Sequence, residues 1–241
     1  LRREPDIAPT AHEFNVAISA LERSGRPAAA LALHATMLRE GVVPDSNTYH
    51  VVIECAARRH DAAGALELLG HLEAMGARLP PRIYDRVITA CAGAGAWQRA
   101  MGLLGRMRAA SIPRSRSTYA AVAEACATAT DGEPARAALV SLAETLLQEP
   151  RNSVAAAEAL LDERLGVRLL EGCIIDGRPD VALALLRASE SRAAESGGGD
   201  GGGHSTPTSW RELCLRACAS GSYGAEARAL LVQLGGAPSV G

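Results

Sequence analysis

Four aromatic residues, Phe14, Tyr49, Tyr84 and Tyr119, stand at a constant interval of 35 residues, and a period of that length calls for an array of like units rather than one large core. Each aromatic is followed by an apolar pair, Ala17/Ile18, Val52/Ile53, Val87/Ile88 and, more weakly, Val122/Ala123, and then by a Gly-rich or polar break. That spacing predicts one short helix. Beyond the break a second apolar ladder runs through Ala30-Leu31-x-Leu33-x3-Met37, Ala65-Leu66-x-Leu68-x3-Leu72 and Ala100-Met101-x-Leu103-x3-Met107, again at helical period. Each unit therefore reads as a helical hairpin. Gly41 with Pro44, and Gly76 with Pro80, mark where the second helix stops, because glycine closes a helix end and proline cannot continue it.

Composition agrees with packing helix on helix. The chain has 241 residues, 48% hydrophobic but only 3% aromatic, so its core must be thin and closely packed, and such a length and apolar content exclude a chain disordered throughout. The formal charge is −2, which excludes a strongly basic chain that would bind polyanions by net charge alone. No apolar run approaches the ~18 residues of a membrane span, so no membrane partner is expected. Six cysteines (Cys55, Cys91, Cys126, Cys173, Cys214, Cys218) include no Cys-x-x-Cys pair, and most lie in apolar helical stretches, as reduced core residues do. Cys214 and Cys218 have no His or carboxylate pair at ligand spacing, so neither a metal nor any other cofactor is expected.

A 35-residue hairpin with Phe14-Asn15 at its start, Ile88-Thr89-Ala90-Cys91 in its first helix and Val43-Pro44-Asp45 at its end resembles the pentatricopeptide repeat. The resemblance covers residues 11–150 as four units, 11–45, 46–80, 81–115 and 116–150. In the fourth, Asp131-Gly132-Glu133-Pro134 disturbs the second helix. The tetratricopeptide repeat, with a period of about 34 and a Trp-x2-Leu-Gly-x2-Tyr opening, fits less well. Residues 1–10 match the tail of a preceding repeat, so the chain reads as part of a longer array. Beyond Pro150 the period is lost, but Gly177-Arg178-Pro179 mirrors Gly25-Arg26-Pro27, which places a degenerate hairpin in 151–195. The Gly-rich stretch 196–206 is expected to be a flexible loop, and 207–241 a last hairpin or a cap. The expected fold class is all-α, a right-handed α-solenoid of stacked antiparallel helical hairpins.

Stacked hairpins leave one row of first helices along a concave surface. With the aromatic buried, helical spacing brings His12, Asn15 and Ser19; Asn47, His50 and Glu54; Arg82, Asp85 and Thr89; and Ser117, Ala120 and Glu124 to that row. Asn, Ser, Thr and His offer the mixed donors and acceptors suited to unpaired bases.

The resemblance implies that each hairpin faces one nucleotide of single-stranded RNA, read by the unit's fifth and last residues. The pairs would be Asn15/Asp45, His50/Pro80, Asp85/Ser115 and Ala120/Pro150. Of these, Asn15 with Asp45 matches a combination the family uses, one for uridine with cytidine tolerated. The second residue of a unit would wedge against the base, and His12 and Arg82 have planes for this. Arg23 and Arg58, at the ends of first helices, would meet phosphates, as would Arg82. From Arg78 to Arg116 eight Arg face one acid, Asp85, although Arg99, Arg106 and Arg108 fall on an outer helix. Glu22, Glu54 and Glu124 lie on or beside the groove and oppose a polyanion.

No catalytic residue is expected. The combination of His-x-Glu with Pro-Cys-x-x-Cys that a deaminase would need is absent, and the glycines at 197–203 are not followed by Lys-Ser/Thr. Two functions are left: sequence-preferring RNA binding in a mitochondrion or chloroplast, in transcript stability, processing or translation, as the resemblance implies; or a helical-repeat scaffold that binds protein within a larger organellar complex. The same resemblance allows other organellar gene-expression proteins as partners. Mixed groove charge, prolines at two reading positions and 16 Arg against 16 acids in 1–150 favour the scaffold.

Overall fold

Thr10, Asp45 and Ser115 each turn a side-chain oxygen onto the backbone amide three residues on, at Glu13, Thr48 and Thr118, and each of those side chains returns a hydrogen bond to the cap. Such reciprocal caps satisfy donors that a helix start otherwise leaves unpaired, and are worth about 1 kcal/mol each. They fix the starts of α1 (Ala11–Arg23), α3 (Ser46–Arg58) and α7 (Arg116–Thr128). At the corresponding start of α5 (Pro81–Gly93), Pro80 makes no side-chain cap and Pro81 opens the helix, where its missing N–H costs nothing. The first helices thus begin at 11, 46, 81 and 116, in step with the aromatic period.

The computed structural model describes residues 9–76, 79–129, 132–149, 153–160 and 162–196. The expected preceding-repeat tail up to residue 8, Pro150, the glycines of the expected loop, Cys214, Cys218 and the expected terminal hairpin lie outside the described residues. The remaining described helices are α2 (Pro27–Arg39), α4 (Ala62–Ala74), α6 (Trp97–Ala109), α8 (Glu133–Leu147), α9 (Val154–Leu160), α10 (Glu163–Ile175) and α11 (Pro179–Ser196). Among the described residues there is no strand, so the chain is all-α as expected.

The chain forms two compact units, Leu1–Ala94 and Gly95–Gly241. In unit 1, α1 packs on α2 and α3, and α3 packs in turn on α2, α4 and α5. Phe14, Tyr49 and Tyr84 are buried, and one helical turn on Ile18, Ile53 and Ile88 are sealed completely; burial of one such side chain contributes about 1.5–3 kcal/mol. Where Gly25 makes the tight turn between α1 and α2 with φ +72°, His60 makes the next one with φ +56°, a conformation that disfavours side chains.

One core position departs from the expected ladder. Leu31 and Leu33 are half-buried, and α2 instead buries His34 with Ala30 and Met37. His34 precedes Leu69 by 35 residues and Leu104 by 70. It occupies a leucine position of the repeat, edge-on to Tyr49 with ring centroids 5.8 Å apart.

In unit 2, α7 packs on α6, α8, α9 and α10, while α10 packs on α8 and α11. Tyr119, Leu142, Leu146, Leu170 and Leu186 form its core. Gly177 turns α10 into α11 with φ +69°, as Gly25 does after α1. The short α9 stands ahead of that hairpin and buries Ala156, Ala159 and Leu160. The disturbance expected in the fourth unit is small: α8 starts 36 residues after α6 and is 15 residues long.

Candidate functional site

The capping frame that starts α3 also builds the most organised polar cluster on the first helices of unit 1. Asn15, half-buried on α1, donates from Nδ2 to Asp45 Oδ2 at 2.9 Å. The Thr48 hydroxyl lies 2.8 Å from Asp45 Oδ1 and hydrogen-bonds Asn15 Oδ1. An ionised carboxylate only accepts, so Asp45 compels the amide nitrogen to face it and fixes which way Asn15 points. One N–H and one carbonyl lone pair of Asn15 are left as an adjacent donor and acceptor. Burial works against the charge of Asp45, but the Thr48 amide and hydroxyl, together with Asn15, hold the carboxyl below its ordinary range.

His50 occupies the equivalent position on α3. Its Nε2 is buried without a hydrogen-bond partner, and burial, then the charge of Arg82, hold its pKa down against the pull of Asp45. The ring is therefore neutral at pH 7. Asp85 is half-buried on α5, where its carbonyl accepts from the Thr89 hydroxyl. Arg82 and His12 are exposed on their helices. Ser115 starts α7, its hydroxyl on the Thr118 amide and 2.7 Å from Ser117 Oγ. Ala120 is half-buried on α7.

A family model for pentatricopeptide repeat-containing proteins matches residues 48–163, and a model of the single repeat matches residues 14–42. The chain belongs to the pentatricopeptide repeat family. Among solved structures, the pentatricopeptide repeat protein PPR10 from maize matches at 21% identity with a TM-score of 0.50, over 96% of this chain and 30% of that one. The same protein in complex with an 18-nt psaJ RNA element matches at 21% identity with a TM-score of 0.46, over 96% of this chain and 34% of that one. This chain thus spans about a third of the length of the solved protein it matches. The first likeness carries the fold class, a helical-hairpin solenoid. A search of the curated proteins gives no match.

The charges of the pentatricopeptide array are arranged differently from what isolated side chains suggest. Arg58, expected at a phosphate, reaches Glu22 at 2.7 Å and Glu54 at 3.6 Å, and Arg86 reaches Glu54 at 2.8 Å. A line of alternating charge thus runs from α1 through α3 to α5 and neutralises two of the acids that would oppose a polyanion. In unit 2 Arg168 pairs with Glu124 in the same way. Arg23 is exposed, its Nε on the Ser19 carbonyl at 3.3 Å. Residue types alone did not single out Thr48 or Arg86. Thr48 was signalled by Asp45-x-x-Thr48 just ahead of an apolar helix, a capping pattern; Arg86 had no such signal, since its partner lies 32 residues away.

Chemically the surface offers hydrogen-bonding edges. The described cysteines are buried, and burial pushes the thiols of Cys55 and Cys126 up to about 11 and that of Cys173 to about 12, which leaves almost no thiolate at pH 7. Among the described residues no group of three or more His, Cys, Asp or Glu could hold a metal ion, and no helix is long and apolar enough to cross a membrane.

Proposed function

We propose that this array binds single-stranded RNA, each hairpin presenting one nucleotide to its fifth and closing residues, and that Asn15 with Asp45 selects uridine. The observation that carries this reading is the Asn15–Asp45–Thr48 cluster, in which a buried threonine and a fixed carboxylate orient an amide. Its free donor and acceptor match the adjacent O4 and N3–H of uracil. Membership of the family and the RNA carried by the solved PPR10 complex support the class of ligand. The array acts as a binding platform in a mitochondrion or chloroplast, in RNA stability, processing or translation, beside other organellar gene-expression proteins. His12 and Arg82 stack on bases, Arg23 meets the phosphate backbone, and His50, Asp85 and Ser115 face neighbouring nucleotides.

The alternating ion pairs favour a second reading. A row whose arginines already hold glutamates attracts a polyanion less than free arginines would, and a protein ligand would tolerate it. Fluorescence anisotropy with RNAs varied at one nucleotide decides between them. Replacing Asn15 with Ala should cost about 1 kcal/mol, mostly at that nucleotide, and affinity should fall as salt rises. An unchanged base ranking in the Asn15→Ala protein would remove the uridine reading. If duplex bound as tightly as single strand, the RNA reading would give way to the scaffold.

A further inference from the structure

Counting 35 residues per unit closes the fourth hairpin at Pro150, but four structural markers place its end elsewhere. The first is the cap: Thr10, Asp45 and Ser115 cap the first helices α1, α3 and α7, and, after Ser153 has capped the short α9, Asp162 caps α10 by accepting from the Leu165 amide at 3.1 Å. It follows Ser115 by 47 residues, 12 more than the repeat. Secondly, the buried cysteines of the first helices step 35 residues from Cys91 to Cys126 and 47 from Cys126 to Cys173. The third marker is the ion pair between adjacent first helices, which joins residues 32 apart in Glu54–Arg86 and 44 apart in Glu124–Arg168. Lastly, the left-handed turn glycines Gly95 and Gly177 lie 82 residues apart, which is two repeats and 12 residues. Packing gives the same answer, because α10 lies on α7 and α8 as α3 lies on α1 and α2.

We infer that a 12-residue insertion containing α9 interrupts the array after Glu149, that α10 is a first helix in full register, and that Asp162 is the closing, base-contacting residue of the fourth hairpin in place of Pro150. This assignment rests on the RNA reading above. Its chemistry follows from what each oxygen of Asp162 already does. Oδ1 caps α10, as Asp45 Oδ1 caps α3. Oδ2 has the exposed Arg116 at 3.5 Å, whereas Asp45 Oδ2 is held by Asn15. Ala120, the fifth residue of this hairpin, brings no hydrogen-bonding side chain. The nucleotide is thus met by a carboxylate oxygen with the Arg116 guanidinium beside it; the carboxylate is an acceptor that suits the ring N–H of uracil or guanine and opposes the bare ring nitrogen of cytosine or adenine.

The test is anisotropy of the full chain against RNAs permuted one nucleotide at a time, so that the nucleotide met by the fourth hairpin is found apart from the one that Asn15 governs. Asp162→Asn keeps a competent helix cap and removes the pure acceptor. It should narrow the preference for uracil or guanine at that nucleotide by at least about threefold, whereas Pro150→Ala should leave the ranking as it is. If Asn15→Ala changes the ranking at its own nucleotide while Asp162→Asn changes none, the assignment fails and the RNA reading stands. A shift with Pro150→Ala instead would overturn it in favour of the constant 35-residue count. If the unmodified chain binds no single-stranded RNA with a salt slope, the RNA reading itself falls and takes the assignment with it.

Discussion

In unit 1 the basic side chain buried among the described residues is His34, which fills a leucine position against Tyr49 with its Nε2 unpartnered. In unit 2 the corresponding burden is a charged pair: Arg114 donates to Glu149 Oε2 at 2.7 Å and to the Tyr119 hydroxyl at 3.1 Å, and the two side chains are only 16% and 3% exposed. A neutral imidazole can be buried by giving up its proton, so unit 1 resolves its conflict through pH. A guanidinium cannot, so unit 2 depends on the partner being there. The ion pairs along the first helices of unit 1 contrast with both. Arg58 is 48% exposed beside Glu22 at 16%, and water screens what they share.

The largest effect should come from breaking the buried pair. Arg114→Met leaves Glu149 inside without its cation and should cost about 3–5 kcal/mol in urea unfolding at pH 7. Adding Glu149→Leu should restore most of that stability, because an apolar pair removes the stranded charge. A single variant as stable as the parent would show that Glu149 is satisfied some other way.

A smaller effect of opposite sign is expected at His34. Burial first, and then the charge of His71, depress its pKa below the ordinary value, so the folded state takes up this proton less readily than the unfolded chain. Stability contributed here is complete above about pH 6.5 and is lost as pH falls through that value toward the depressed one. His34→Leu, which restores the residue type found at Leu69 and Leu104, should gain about 1–2 kcal/mol at pH 5.5 and less at pH 8. A gain that is equal at both pH values would mean that packing alone is responsible.

The smallest effect belongs to the surface ladder. Arg58→Ala should change stability by no more than about 1 kcal/mol, and by less in 0.5 M salt as the charges are screened. A loss comparable to that of Arg114→Met would erase the distinction between the two kinds of ion pair.

The sequence by itself determined the hairpin frame. Helix starts at 11, 46, 81 and 116 follow from caps and aromatic spacing, because helix periodicity and capping are set by residues within one turn of each other. It also placed Asn15 beside Asp45, since both are fixed by that frame. Three features came only with the tertiary structure. Arg58 and Arg86 find Glu22 and Glu54 over 36 and 32 residues, His34 enters a leucine site, and the step to α10 lengthens by 12. Each depends on which side chain a neighbouring hairpin brings alongside, or on how much chain the connection holds. Loop length is weakly constrained by closure entropy, so residues can be added between hairpins without disturbing the contacts that stack them, and the local pattern Gly177-Arg178-Pro179 marks a resumed hairpin without saying which residue closes the one before it.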